Sequence, residues 1–321
     1  MELVKCKIPS GLLIMATAVI SIISPLKADV TGNTSTLNAS YVTQDQGSAF
    51  FQSYFFSKTK RDVEATVAHF DETDLVYIDV PLGWSFHGRQ AMRQVFSQYM
   101  PNWPDSASSY PLRVLGNETS ALVAFVNTPE LFGSEIRAFA AVDTRDGKVI
   151  RWVDYWDGKH FGRERTNALR NSSTNQISDY KDAIAGTATK TRIFDVSHRL
   201  HDALGHFAEN DLGQLFTDDA VYEDLTLHVL FQGKNAILNY LDRAKKKHPF
   251  GSDAELAHVV GDSQSGGYEW IAASAFKTTV RRGITALELD ETGRITRLTT
   301  LWDGSAISDA QLSELLLLGL D

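Results

Sequence analysis

Asp154 is the residue in this chain best placed to do chemistry. The segment Arg151-Trp152-Val153-Asp154-Tyr155-Trp156 reads as a strand, and strand alternation puts Trp152, Asp154 and Trp156 on one face. If that face is an interior one, the carboxyl group sits between two indoles. Desolvation would then raise its pKa into the range where a general acid or base works near neutral pH. The competing reading is a carboxylate that faces solvent or ties down a neighbouring loop. Asp79 is the second catalytic candidate, two residues after Tyr77 on an earlier strand, with Trp84 on the returning strand. Tyr77, Trp84 and Trp152 are expected to bind or orient a substrate.

These residues belong to a pattern that occurs twice. Val76-Tyr77-Ile78-Asp79 running to Phe86-His87-Gly88-Arg89 reappears 145 positions later (79 to 224, 88 to 233) as Val221-Tyr222-Glu223-Asp224 running to Phe231-Gln232-Gly233-Lys234. Gly116 answers Gly261, and Trp156-Asp157-Gly158 answers Trp302-Asp303-Gly304. A period this long marks a duplicated domain rather than a solenoid repeat. Two sites must therefore be considered, and they differ: the second copy has Thr300 where the first has Asp154. The repeated Asp79 and Asp224 fit either chemistry in both copies or a shared local job, such as holding a hairpin turn.

In the second copy the candidate ligand-binding residues are Tyr222, Asp224, His228 and His258. A histidine paired with Asp224 inside a cavity would be a serviceable base, while a surface or satisfied structural role is the competing reading. His198 and His201 share a helix face without a third ligand, so no metal site is expected. No phosphate-cradling loop, nucleophile elbow or dinucleotide fingerprint is present. No cofactor is therefore expected.

The elements that must position these groups are legible by period. In the first copy, Phe50, Phe51, Tyr54 and Phe55 have helical spacing, Asp62 can N-cap a second helix, and Ala91, Val95, Phe96 and Tyr99 stripe a third. A hairpin over 75–86 separates the last two helices, and strands separated by turn residues follow from 112 to 156. The second copy repeats that order. The expected fold class is α+β: two tandem cone-shaped domains, each a curved antiparallel sheet with three helices, packed together as a pseudo-dimer. The boundaries expected are a leader over 1–28, a polar lead-in over 29–43, a first domain over 44–162, a linker over 163–191, a second domain over 192–308 and a C-terminal helix over 309–321.

The leader has Lys5 and Lys7 ahead of an apolar run from Leu12 to Ile23, then Pro25 and Ala28, the pattern of a secretory signal peptide. An uncleaved anchor is the alternative, and a membrane is an expected partner only in that case. Cys6, the single cysteine, lies inside the leader. A mature chain without it has no disulfide, no thiol nucleophile and no Cys-based zinc site. A formal net charge of −9 argues against a sequence-independent grip on nucleic acid.

The loop from Asp211-Leu212 through Phe216-Thr217-Asp218-Asp219-Ala220-Val221-Tyr222-Glu223-Asp224, the Phe-x-Gly hinges at Gly88 and Gly233 and the two Trp-Asp-Gly strand ends resemble the SnoaL-like branch of the nuclear-transport-factor-2-like, or cystatin-like, superfamily. The likeness covers roughly 45–160 and 192–306. It implies a cone with an apolar interior and an acid on the closing strand, the position that Asp154 occupies. It also implies cofactor-independent chemistry (isomerisation, polyketide cyclisation, dehydration or epoxide opening) on a hydrophobic small molecule, in secondary metabolism. That makes a secreted acid–base enzyme the leading expectation. The alternative is a non-catalytic module for ligand binding or protein interaction, since fold does not imply function.

Overall fold

The structure is a computed structural model that describes residues 49–171, 177, 179–184, 191–207, 209–276 and 281–319. The expected leader and lead-in lie outside the described residues. The first half begins with helix α1 (Ala49–Thr59) and the short α2 (Val63–Val67). Asp62 caps α2 as its sequence position predicts, accepting from the Ala65 amide at 2.9 Å. Strands β1 (Val76–Asp79) and β2 (Trp84–His87) form a hairpin, and α3 (Gly88–Tyr99) follows. Then come β3 (Ser109–Gly116), β4 (Ser120–Asn127), the one-turn α4 (Pro129–Phe132), β5 (Ile136–Arg145) and β6 (Lys148–Tyr155).

The second half repeats this order. Helices α6 (Arg192–His206) and α7 (Glu209–Leu215) precede β7 (Phe216–Asp224), β8 (Val229–Gln232) and α8 (Lys234–Ala244). Strands β9 (Glu255–Gly261), β10 (Ser265–Ile271), β11 (Arg282–Leu289) and β12 (Ile295–Trp302) complete it. The two six-stranded sheets have the same topology, β2-β1-β6-β5-β4-β3 and β8-β7-β12-β11-β10-β9. One feature departs from the expected all-antiparallel sheets. β1 runs parallel to β6, and β7 to β12, because the closing strand of each meander returns beside the first strand in the same direction.

A second departure concerns the region expected to be pure linker, which opens with helix α5 (Arg163–Leu169). Both domains thus carry a helix beginning six residues after the Asp of Trp-Asp-Gly: α5 in the first and α9 (Asp309–Leu317) in the second. Each lies against its own domain. Leu169 joins the first core, and Leu315 joins the second with Leu312 packed beside it.

Each sheet buries one face under its helices and the other against its partner sheet. The shared apolar layer includes Val76, Ile78, Leu122 and Val153 from the first sheet and Val260, Ile284 and Leu301 from the second. Gly116 and Gly261 meet in this layer. A Cβ on Gly116 would stand 2.7 Å from the Gly261 Cα, so neither tolerates a side chain. The contact is reciprocal. Ser265 Oγ accepts from the Gly116 amide at 3.0 Å and Ser120 Oγ from the Gly261 amide at 3.1 Å, the signature of a two-fold interface written into one chain.

A buried charged cluster lies in the same layer. Arg151, fully buried, pairs with Glu269 at 2.7 Å and with Asp182 at 3.0 Å, and it donates to the Tyr180 carbonyl at 2.6 Å. Arg282 pairs with Asp182 at 2.8 Å. The segment around 180–182, between the two domains in sequence, is thereby clasped from both sides. Among the described residues, no helix is long and apolar enough to cross a membrane.

Candidate functional site

Alternation along β6 sends Arg151, Val153 and Tyr155 to the inter-sheet layer and Trp152, Asp154 and Trp156 to the concave face. The concave face lines a partly open cavity of ≈130 Å³, walled by β1, β2, β4 to β6, α3 and the chain around Phe161. Its lining is mostly apolar and aromatic, including Trp84, Phe86, Phe96, Phe125, Trp156 and Phe161, with Tyr77, Asp79, Asn127, Asp154 and Lys58 as convergent polar groups. That is the composition of a small-molecule site.

Asp154 is 7% exposed. One carboxylate oxygen accepts from the Trp152 indole N–H at 2.6 Å, and the other accepts from the Tyr77 hydroxyl. Burial pushes its pKa up to about 6, against the opposing pull of those two donors and of the Lys58 charge. Asp79 is the register partner of Asp154 on the neighbouring parallel strand. It is half-buried at the cavity wall, and it accepts from the Leu82 amide at 2.9 Å and from the Trp156 indole at 3.2 Å. Burial, followed by the negative charge of Asp154, pushes Asp79 up to about 7. The two carboxyl groups form an interacting pair that holds about one proton near neutral pH, the arrangement that separates an acid from a base.

Of the candidates in the first copy, Asp154, Asp79, Tyr77 and Trp84 line this one cavity. Trp152 is 1% exposed and stands behind the lining, stacked on Tyr77 at 6.0 Å, where it holds Asp154 rather than touching a ligand. The Trp84 indole donates to the Leu169 carbonyl at 3.1 Å, which pins α5 across the end of the cone.

Among the described residues, large aromatic side chains occupy the interior of the second cone. Tyr222 is fully buried and packs against Tyr240 and Phe231. Counting from the matched glycines, Tyr240 stands where the first domain has Val95, Tyr268 where it has Val123 and Trp270 where it has Phe125. All three are buried. Asp224 accepts from the Thr226 amide at 2.8 Å, the Leu227 amide at 2.9 Å and the Trp302 indole at 3.1 Å, and so closes its hairpin. Asp79 makes the matching contact to Leu82, so the local structural job is common to both copies. Thr300 and Ala272 stand at the positions of Asp154 and Asn127. The buried base and its polar neighbour have no counterpart there.

Neither candidate histidine reaches a cone. His228 is exposed on the β7–β8 turn, at a positive φ of 58°. It lines an open groove between the domains beside His160 and Arg137. His258 points to the inter-sheet layer and hydrogen-bonds Asp143 of the first domain at 2.8 Å. Its neighbour Val259 takes the inward position, and alternation therefore turns His258 outward. A His–Asp224 base in the second cone is not formed.

The sequence reading missed Lys58 and Asn127. Lys58 is 6% exposed, and its ammonium donates to Asn127 Oδ1 at 3.1 Å, an oxygen that also accepts from the Ser109 hydroxyl at 2.7 Å. Burial pushes the Lys58 pKa down to about 8, partly countered by Asp154. Among the described residues, no group of three or more His, Cys, Asp or Glu is placed to hold a metal ion.

No protein-family model matches the chain, and no curated protein matches its sequence. Solved structures do. The chain is similar to steroid-isomerase-like and SnoaL-like folds. A SnoaL-like protein of unknown function from Burkholderia thailandensis is 13% identical, covering 35% of this chain and 96% of that one at a TM-score of 0.30. A steroid delta-isomerase from Pseudomonas aeruginosa is 17% identical, with 40% and 88% covered and a TM-score of 0.31. An epoxide hydrolase of M. tuberculosis is 19% identical, with 40% and 92% covered and a TM-score of 0.28. Each match is about one domain long. At these identities it says nothing of activity.

Proposed function

We propose that the first domain is a cofactor-independent acid–base enzyme acting on a small hydrophobic molecule, and that the second is a diverged partner that buttresses it. The observation that carries this reading is the pair Asp79 and Asp154, two carboxyl groups with raised pKa on one wall of an otherwise apolar cavity. Asp154, ionised above about pH 6, is the base that takes a proton from carbon or from an attacking water. Asp79 is the group that still holds a proton near pH 7 and can return one to an oxygen or to a neighbouring carbon. Tyr77 and Trp152 hold Asp154 in place. Isomerisation, dehydration, cyclisation and epoxide opening all need this proton traffic.

Size narrows the substrate. An engineered cavity of about 150 Å³ accepts benzene, so the ≈130 Å³ of this partly open pocket holds a single ring or a short branched chain, and any larger part of a substrate projects through its open side. Export by the leader belongs to the same proposal and rests on residues 1–28 alone.

A second reading, a non-catalytic binder of apolar ligands, draws support from one observation. Both oxygens of Asp79 and of Asp154 already accept hydrogen bonds from the protein. The experiment that separates the two follows a single-ring β,γ-unsaturated ketone and a single-ring epoxide with the parent chain, Asp154→Asn and Val95→Tyr. The enzyme reading expects turnover in the parent only. Binding by the parent without turnover, abolished by Val95→Tyr, favours the binder.

A further inference from the structure

Lys58 is hard to explain as scaffolding. It lies in the last turn of α1, where a lysine ordinarily reaches out to solvent near the helix C-terminus. Here it turns inward and lines the cavity, its nitrogen 5.9 Å from the centre of the Phe55 ring and 5.6 Å from that of Phe125. An ammonium has three donors to satisfy. Among the described residues it has one hydrogen-bond acceptor, Asn127 Oδ1, which Ser109 also uses, and no carboxylate within ion-pairing distance. Burying a charge on those terms is costly; the two ring faces and the charge of Asp154 offset part of that cost, and losing the proton relieves the rest. A neutral amine held by one hydrogen bond in an apolar cavity is a nucleophile.

We propose that Lys58 captures the carbonyl group of a small apolar aldehyde or ketone as an imine inside the first cavity. The proposal rests on reading this cavity as the ligand site, and it names the substrate class as carbonyl compounds. The step needs no oxidant or reductant. The nitrogen lone pair adds to the carbonyl carbon, the C=O π pair moves onto oxygen, and that oxygen takes the proton held by Asp79, which lines the same cavity. The amine loses one N–H proton to the Asp154 carboxylate. The nitrogen lone pair then forms C=N while the C–O bond breaks and the oxygen leaves as water, protonated by the same carboxyl group; nitrogen keeps its second hydrogen, and the product is the protonated imine beside the Asp79 carboxylate. Asp154 lines the same cavity as Lys58 and is electrostatically coupled to it, so one carboxyl can serve both proton movements.

The depressed Lys58 pKa has a quantitative consequence. At pH 7 an amine of pKa about 8 is neutral on the order of 100-fold more often than an ordinary lysine. The test is reductive trapping. The full chain is incubated with benzaldehyde and cyanoborohydride at pH 7, and the labelled peptides are followed over time by mass spectrometry. Labelling of Lys58 at least tenfold faster than of the exposed Lys60 is expected. Labelling no faster than Lys60, or none, overturns the proposal, and this comparison needs no variant to fold. Asp154→Asn, run in parallel, keeps the two readings apart. Slower trapping in that variant supports both. Fast trapping at Lys58 that Asp154→Asn leaves unchanged supports the amine while removing Asp154 from its role as base.

Discussion

Asp79 and Asp154 are register partners on adjacent parallel strands, so the pleat that turns one toward the cavity turns the other with it. The corresponding register in the second domain pairs Asp224 with Thr300. Duplication kept the frame, and divergence at one position separated a two-carboxylate wall from a one-carboxylate wall. Four expectations follow from that difference and from the packing around it.

The first concerns pH and rate. A base of pKa about 6 and an acid of pKa about 7 give a bell-shaped kcat/KM with its maximum between them. Asp79→Asn should flatten the alkaline limb and leave the acid limb in place. A profile unchanged by Asp79→Asn contradicts the assignment of Asp79 as the acid.

The second concerns pH and stability. A carboxyl group with a raised folded pKa binds its proton more tightly in the folded state than in the unfolded chain. Its stabilising contribution is complete below about pH 4 and is lost as the pH rises through about 6 for Asp154 and 7 for Asp79. Denaturant titrations should therefore show stability falling between pH 4 and 8, by on the order of 3 kcal/mol for the buried Asp154, shifted by about two units, with a solvent-screened addition from the half-buried Asp79. Asp154→Asn should reduce the slope. Equal slopes in parent and variant contradict the burial argument.

The third concerns the joint between the domains. Arg151→Met takes away the nearer of the two cations beside the buried Glu269 and leaves Arg282 at 3.7 Å, which should cost up to about 3–5 kcal/mol. Adding Glu269→Leu to the same chain should recover most of the loss. A loss below 1 kcal/mol in the single variant, measured by denaturant unfolding, contradicts the account of the interface.

The fourth concerns the second cone. Tyr240→Val restores the residue type of the first domain and opens space, yet Thr300 supplies no carboxyl group there. Ligand binding at a second site without added turnover is expected. New turnover that survives Asp154→Asn contradicts the division of labour.

Much of the frame was legible in the chain. The face shared by Trp152, Asp154 and Trp156 follows from alternation alone, and the repeat announces two domains of one topology. The parallel β1–β6 pair was not legible, because strand direction within a sheet depends on how the chain returns rather than on local residue types. Helix α5 was hidden in a polar stretch, with Thr166 and Leu169 its buried residues. Lys58 escaped notice because its place at a helix end has an ordinary explanation, and only the tertiary packing turns it inward. His258 was misplaced for want of one step: its neighbour Val259 occupies the inward position on the same strand. The aromatic interior of the second cone depends on Tyr240 and Tyr268 converging from a helix and a strand, which no single segment reveals.

The central claim is that Asp154 moves protons on a ligand held in the first cavity. The most direct test is hydrogen exchange into a single-ring β,γ-unsaturated ketone in D2O, followed by NMR. The account predicts that the parent chain speeds deuterium uptake at the carbon next to the carbonyl, and that Asp154→Asn loses at least 10²-fold of that rate, the lower end of what a positioned base contributes. Equal exchange rates with the parent and with Asp154→Asn would contradict it.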